Sequence, residues 1–488
     1  MLLKADFYIV CGTEKILYKR AKYPKIFSII LLFFIFFLLS CKKEQKKEVP
    51  IISEIIVHEV IDDEIEEDVI IEAEAEEDEE ELPVKEIIPF REVIVINEFI
   101  TEPNNILRKS PPKFMQGLYV TGYKTRRNSF DTLLEEAKNS GINTIVFDVK
   151  EMQGHVYFSI TNYPQLKYTY SEPILSINNI VEKIHAHGMY AVARIVQFYN
   201  IETATHHPEL QPTHKEGGYW NEKIDHPAWL DSSHPLVQAE LLQIIDIVAT
   251  SNVDEIQLDY VRFPTEGRLG DAVFYFQGED EQKIIENEDY QKREKRDIIR
   301  DYIRDVREVV DRHNVKLSAD IFAIVAWQRT ADIRSTGQDI AYISPHIHNL
   351  HPMIYSSHFS SDFYFPAEDF IKKPYHIVKY CLEQSIKHAD EDCRVIPYLQ
   401  AFGWRVDYTK EYVFDQLKAT IDSGSKGYIF WNANSSYEKT LEWVKEWNLA
   451  RKEGVILEGY YKEIEEEEEI EDETEDEVEE ENEDENKD

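Results

Sequence analysis

Between about residues 113 and 450, short apolar runs alternate with segments of helical period, eight strand candidates with a helical stretch after most of them. Strands are expected at 117–123, 143–150, 190–198, 255–263, 316–322, 349–356, 394–402 and 427–433. Amphipathic helices are expected at 129–140, 176–187, 234–250, 281–312, 374–388, 410–423 and 435–446. Eight strand–helix units in about 340 residues is the pattern of an α/β chain closed into a (β/α)8 TIM barrel. An open doubly wound sheet is the alternative, but no glycine-rich phosphate turn follows the first strand.

The flanks read differently. Lys19, Arg20, Lys22 and Lys25 precede an apolar stretch, Ile26 to Leu39, that is short for a membrane span and typical of a secretion signal. It ends in Leu38-Leu39-Ser40-Cys41, which resembles a bacterial lipobox, so Cys41 is the expected lipidation site and residues 1–41 the signal peptide. A short N-terminal anchor helix is the alternative, and both readings put the body in the cell envelope, outside the cytoplasm, periplasmic or surface-exposed. Residues 42–112 read as a charged, mostly disordered tether, 113–450 as the barrel, and 451–488 as an acidic disordered tail. The net charge of −40 belongs to these flanks. Residues 51–90 and 461–488 carry −33 between them, and residues 91–460 only −13. A body of that charge argues against nucleic acid as a partner, because phosphate contacts need a basic face. The cysteines, Cys11, Cys41, Cys381 and Cys393, have no metal-ligand or redox spacing. Cys381 and Cys393 are either a disulfide or two buried thiols.

Barrel chemistry sits at the C-terminal strand ends. Side chains two apart share a strand face, and the polar residues fall repeatedly on one parity: Tyr119/Thr121, Asp148/Lys150, Arg194, Gln257/Asp259, Ser318/Asp320, Tyr355, Gln400 and Asn432. That face is expected to converge at the barrel mouth. Asp259 and Asp320 end neighbouring strands, which lie about 4.8 Å apart. Their carboxyls can therefore approach the roughly 5–5.5 Å separation of a retaining glycosidase pair. Structural ion pairs with Arg194 or Arg262 are the competing role for each. The segment 202–232 holds His206, His207, His214, Trp220, His226 and Trp229. The histidines are scattered through a loop, His346-x-His348 precedes its strand, and no metal or other cofactor is expected. Aromatic faces at a barrel mouth suit the apolar faces of sugar rings, with Tyr355, Trp404 and Trp431 as platform candidates.

Several runs occur in an order that resembles one bacterial family. These are Gly117-Leu-Tyr-Val-Thr-Gly-Tyr123, Ile142-Asn-Thr-Ile-Val-Phe-Asp-Val-Lys150, Ala193-Arg-Ile-Val196, Trp229-Leu-Asp231, Asp254-Glu-Ile-Gln-Leu-Asp-Tyr-Val-Arg-Phe-Pro264, Ser318-Ala-Asp-Ile-Phe322, Gly337-Gln338, Ile343-Ser-Pro345, Pro352-Met-Ile-Tyr355, Leu399-Gln400 and Trp431-Asn-Ala433. The family is a glycoside-hydrolase-like domain of unknown function in the TIM-barrel glycosidase group. This chain departs from it at Glu151-Met152, where the family has an acidic pair, at Ala323, where it usually has Gly, and at Tyr355-Ser-Ser-His358. The resemblance implies a barrel of carbohydrate-active ancestry without naming its substrate; the expected partner is a polysaccharide or oligosaccharide, and the lipobox puts the barrel on a membrane-anchored lipoprotein. By fold-level analogy with amylase-like barrels, Asp259 is expected to be the nucleophile and Asp320 the general acid/base. Asp148, Lys150, Arg194, Gln257, Tyr355, Trp431 and Asn432 are expected to bind substrate. A non-catalytic glycan-binding surface lipoprotein is the alternative.

Overall fold

The computed structural model describes residues 8–11, 14–17, 99–103, 105–359 and 373–453. Cys41, most of the expected signal and tether, and the acidic tail beyond residue 453 lie outside these residues, but residues 105–112 of the expected tether are described and held against the barrel, Arg108 donating to Ser251 O and Ala249 O at 2.9 and 2.7 Å. The chain divides into two units, 1–72 and 73–488. Of the first, an antiparallel hairpin is described, Tyr8–Cys11 paired with Glu14–Leu17. Among the described residues no helix is long and apolar enough to cross a membrane.

The second unit carries a closed ring of eight parallel strands: β1 (Met115–Val120), β2 (Thr144–Lys150), β3 (Tyr190–Val196), β4 (Glu255–Asp259), β5 (Lys316–Phe322), β6 (Asn349–Ile354), β7 (Tyr398–Gln400) and β8 (Gly427–Trp431). Each pairs with its neighbour in sequence, and β8 closes onto β1. The closure is tight at Gly427, whose φ is +145 and whose absent Cβ would meet the Met115 backbone. This is the expected (β/α)8 barrel.

Strand parity sorts the core into two layers. Leu118, Phe147, Ala193, Leu258, Ala319, Leu350 and Phe430 point outward into the helix ring. Met115, Tyr119, Val146, Tyr190, Val192, Ile396, Tyr398 and Ile429 pack inside the barrel. The helix Lys295–Asp311 shows why such helices dock: Ile298, Ile299, Tyr302, Ile303, Val306, Val309 and Val310 fall on one buried stripe. Its start is fixed by a capping box, with Glu294 N–H donating to Asp297 at 2.8 Å.

The helical layer departs from expectation on either side of β5. The helix expected at 281–312 is two, Tyr275–Glu286 and Lys295–Asp311. Asn287 takes an extended backbone, and buried Asp280 fastens the intervening turn by accepting from Arg293 N and Nε, each at 2.7 Å. After β5 the outer layer is built from two short helices, Thr330–Thr336 and Ile340–Ile343. Cys381 and Cys393 are both buried free thiols. A cavity of about 390 Å³ lies beneath residues 105–111 at Asp254 and Lys316. It opens at the N-terminal end of the strands, the end away from Asp259.

Candidate active site

The polar parity expected from sequence faces inward, and four of its members form one network at the C-terminal end. Arg194 on β3 stands between two carboxylates. Its Nη1 donates to Asp148 Oδ1 at 2.5 Å, and Nε and Nη2 donate to Asp259 Oδ2 at 3.0 and 2.5 Å. Tyr119 donates to Asp148 Oδ2 at 2.6 Å and lies under the guanidinium, 5.3 Å from ring centre to Arg194 Cζ. All four side chains are buried. Burial pushes Asp148 above the usual carboxylate range, with Arg194 and Tyr119 pulling against it. The ion-pair role weighed for Asp259 is therefore present, with Arg194 as the partner.

Asp259 ends β4 because Tyr260 adopts φ +51, a left-handed backbone that a non-glycine side chain seldom takes. The Tyr260 N–H donates to Asp259 Oδ1 at 2.6 Å, so both Asp259 oxygens are engaged. This turn is why the strand expected to run to 263 stops at 259. Arg262 is then carried away from Asp259 and sits over the rings of Trp229, Tyr260 and Phe322 at 4.7, 5.2 and 4.1 Å.

Asp320 on β5 is in a different state. It is 1% exposed, and its Oδ1 is sealed from solvent with no hydrogen-bond partner. Burial, then the charge of Asp259, pushes it well above the carboxylate range, and Glu255 adds to this while Arg194 opposes it. Gln338 holds the strand end around it, donating to Asp320 O at 3.0 Å and accepting from Phe322 N at 3.0 Å.

Aromatic rings wall one side of the mouth. Tyr119 stacks on Trp431 at 5.9 Å, Tyr355 lies 5.6 Å from Trp431, and Phe402 meets Trp431 edge-on at 5.5 Å. His358 stacks on Trp404 at 4.6 Å, with Arg405 over the Trp404 ring. Tyr355, Trp404 and Trp431 are partly exposed. Trp220 and Trp229 are each 2% exposed and pack their own loop. Among the described residues no three His, Cys, Asp or Glu side chains are grouped to hold a metal ion.

Three expected site residues are placed elsewhere. Gln257 lies one layer deeper than Asp259, accepting from Tyr398 at 2.7 Å. Asn432 falls off the inward parity, and its amide is taken up by Ala401 O, Asn434 N and Ser436 N. Lys150 is turned out of the barrel by a bulge after Asp148, which sets it opposite Ile195 instead of Val196. Its ammonium donates to Val196 O at 2.8 Å, in a small cavity with Thr203, Leu241 and Ile244. Tyr119, Tyr260 and Gln338 belong to the site without having been singled out for it. Only Tyr119 carried a usable signal, by sharing the polar parity.

Burial lowers Lys150 to about 7, against an unfolded value near 10.4. A folded value below the unfolded one means that the unfolded chain binds the extra proton between those limits, so stability rises with pH across them. Lys150→Met is therefore expected to stabilise the fold by roughly 3 kcal/mol near pH 6, and by less as pH approaches 10. Urea unfolding at several pH values checks this; a variant less stable than the wild type near pH 6 contradicts it.

No curated protein matches the sequence. Among solved structures, the PgaB (BpsB) glycoside hydrolase domain from Bordetella bronchiseptica is 12% identical, with 68% of this chain and 98% of that one covered at a TM-score of 0.50. A hypothetical protein from Ruminiclostridium thermocellum ATCC 27405 is 24% identical, over 42% of this chain and 96% of that one, at a TM-score of 0.34. The endo-1,4-beta-D-mannanase from Thermotoga petrophila RKU-1 is 10% identical, over 65% and 88%, at 0.43. The Bordetella likeness shows a shared fold. A family model spans residues 117–437, from the first barrel strand to the loop after the last, and by that match the chain belongs to the family described as "Putative glycosyl hydrolase domain".

Proposed function

We propose that the chain is a retaining glycoside hydrolase acting on an envelope or extracellular polysaccharide, with Asp259 as nucleophile and Asp320 as general acid/base. The observation that carries this is the unlike condition of two carboxyls on adjacent strands. Asp259 is charge-paired to Arg194, while Asp320 is buried without a cation and pushed toward its neutral form. Environments that drive two carboxyls apart are how one site holds an acid and a base together. In the first half-reaction Asp320 protonates the departing glycosidic oxygen as Asp259 attacks the anomeric carbon. In the second, Asp320 takes the proton of the water that releases the glycosyl group. The aromatic wall of Tyr355, Trp404 and Trp431 supplies stacking surfaces, and the secretion signal ending at Cys41 supports a substrate outside the cytoplasm.

One observation favours a second reading, a glycan-binding barrel without turnover. Asp259 already makes hydrogen bonds through both oxygens, to Arg194 and to Tyr260 N, and must give one up to attack. Reducing-end release from a panel of envelope and extracellular polysaccharides, for the wild type beside Asp259→Asn, separates the two. Release lost in the variant, with fold and glycan binding kept, is expected. A glycan that is bound but cut by neither protein would decide for the binding reading.

A further inference from the structure

Arg262, on the loop after β4, is a second arginine at the barrel mouth. Three rings surround its guanidinium, with Phe322 at 4.1 Å, Trp229 at 4.7 Å and Tyr260 at 5.2 Å from Cζ. Tyr260 follows Asp259, and Phe322 stands two residues beyond Asp320 on the same inward parity, level with Met353 of β6. The guanidinium therefore lies between the strand ends that carry the nucleophile and the acid proposed above. Tyr199 extends the ring cluster, 5.1 Å from both Trp229 and Tyr260. This cluster borders the mouth at β3, β4 and β5, and the Tyr355–Trp431 wall borders it at β6 and β8.

The two arginines are spent differently. Arg194 commits Nε, Nη1 and Nη2 to Asp148 and Asp259. Arg262 donates only through Nη1, to Phe263 O at 3.1 Å and Thr265 Oγ1 at 3.2 Å. Its Nε and Nη2 bond to no described residue, and neither is sealed from solvent. The charges of Glu222, Asp259 and Glu266 act on Arg262, yet none of the three forms an ion pair with it. Arg262 is nonetheless 7% exposed. Sheltering a cation costs free energy unless an anion or an aromatic face compensates. The rings offset part of that cost and fix the guanidinium in place. They supply no acceptor for the Nε–Nη2 edge, the edge that can hold a carboxylate by two parallel hydrogen bonds.

We propose that the glycan is acidic, and that Arg262 receives the carboxylate of a hexuronic acid ring beside the sugar that Asp259 attacks. Nε–H and Nη2–H donate to the two carboxylate oxygens. Tyr260 and Phe322, both partly exposed, offer ring surface to the apolar face of the same sugar. Such a ligand presupposes the glycosidase reading of the mouth and narrows its substrate class. A planar carboxylate matches the fork of a fixed guanidinium, whereas a neutral sugar leaves the sheltered cation unneutralised. Arg262 then selects the substrate and takes no part in breaking the glycosidic bond.

The measurement is calorimetric titration of the whole chain carrying Asp259→Asn, which is not expected to cleave its ligand. The probes are oligosaccharides of glucuronate, galacturonate and mannuronate, each beside the same oligosaccharide with its carboxyls reduced to alcohols. One acidic form is expected to bind about 10–100-fold more tightly than its reduced counterpart, the worth of a charge-assisted pair. Adding Arg262→Met should abolish that preference while changing affinity for the reduced form little. An arginine that only props up its loop gives another result: both forms weaken alike and the preference stays. Arg262→Lys keeps the charge and loses the fork, so it should retain part of the preference, and it serves should Arg262→Met fail to fold. Several outcomes overturn the assignment: no uronate bound, no preference over the reduced form, a preference that survives Arg262→Met, or tighter binding of sulfate- or phosphate-substituted glycans. Uronates bound with this preference but left uncut by the wild type would sink the glycosidase reading and leave Arg262 in its role. A neutral glycan cut by the wild type, with no preference for the acid, would do the reverse.

Discussion

Asp320→Asn is expected to lower kcat/KM on a cleaved glycan by about 10²–10⁴-fold, the usual worth of a positioned general acid, while making the fold more stable above neutral pH. The two effects have one cause. Asp320 is held above the carboxylate range first by burial and then by the charge of Asp259. A folded value above the unfolded one means stability that is full below the unfolded value, near 4, and is lost as pH rises through the folded value. At neutral pH and above, the fold bears the strain of an acid that wants to ionise and has no cation of its own. Asparagine has the shape of the protonated acid and no charge to lose, so it removes that strain together with the proton donor. The wild type should show an alkaline limb in its kcat/KM profile set by loss of the Asp320 proton. Urea unfolding of both proteins between about pH 5 and 9 tests the stability arm. A gain that widens with pH marks strain kept for function. A structural Asp320 gives the reverse: lost stability at every pH, with glycan turnover untouched.

The barrel was legible because its signal is repeated. Eight strand runs, most followed by a stretch of helical period, leave few ways to bury both faces of a sheet, and strand parity separated outward Ile256 and Leu258 from inward Gln257 and Asp259. Parity failed where the backbone breaks its own period. The bulge after Asp148 sends Lys150 to the helix side, and a strand read as unbroken has no way to show it. The left-handed turn at Tyr260 stops β4 four residues early, because a tyrosine gives no local sign that it will adopt a conformation usually left to glycine. Asn432 was misplaced by one residue of register, which in a strand is the difference between two faces. The carboxyls at strand ends were readable, and Arg194 stood beside Arg262 as one of two candidate partners; the structure pairs Arg194 with Asp259. The sharing of Arg194 with Asp148 was not readable, since it joins β2 and β3 to β4 through side chains that sequence spacing does not relate.

That sharing sets the largest stability effect expected from a single change. Arg194→Met should cost about 3–5 kcal/mol, because it leaves buried Asp148 and Asp259 facing one another without their common cation. Tyr119 would still donate to Asp148, and Tyr260 N to Asp259, but neither brings positive charge. Acid should repair the loss. With the guanidinium gone, buried Asp148 loses the chief influence that pulls against its burial and rises further above its unfolded value, so the folded variant binds more protons than the unfolded one. Its stability is then fullest near pH 4 and falls as pH rises, and the deficit against the wild type should shrink on acidification. Replacing the whole group, Asp148→Asn with Arg194→Met and Asp259→Asn, should return much of the stability, since removing a buried ion cluster costs far less than breaking it. Urea unfolding of the single and triple variants at about pH 4 and pH 7 measures all of this. A single variant equally weakened at both pH values would mean that Arg194 acts by packing over the Tyr119 ring. A triple variant no better than the single would point to the same conclusion. The pH-dependent outcome leaves Arg194 as the charge that lets the carboxyl groups of Asp148 and Asp259 stand together at one barrel mouth.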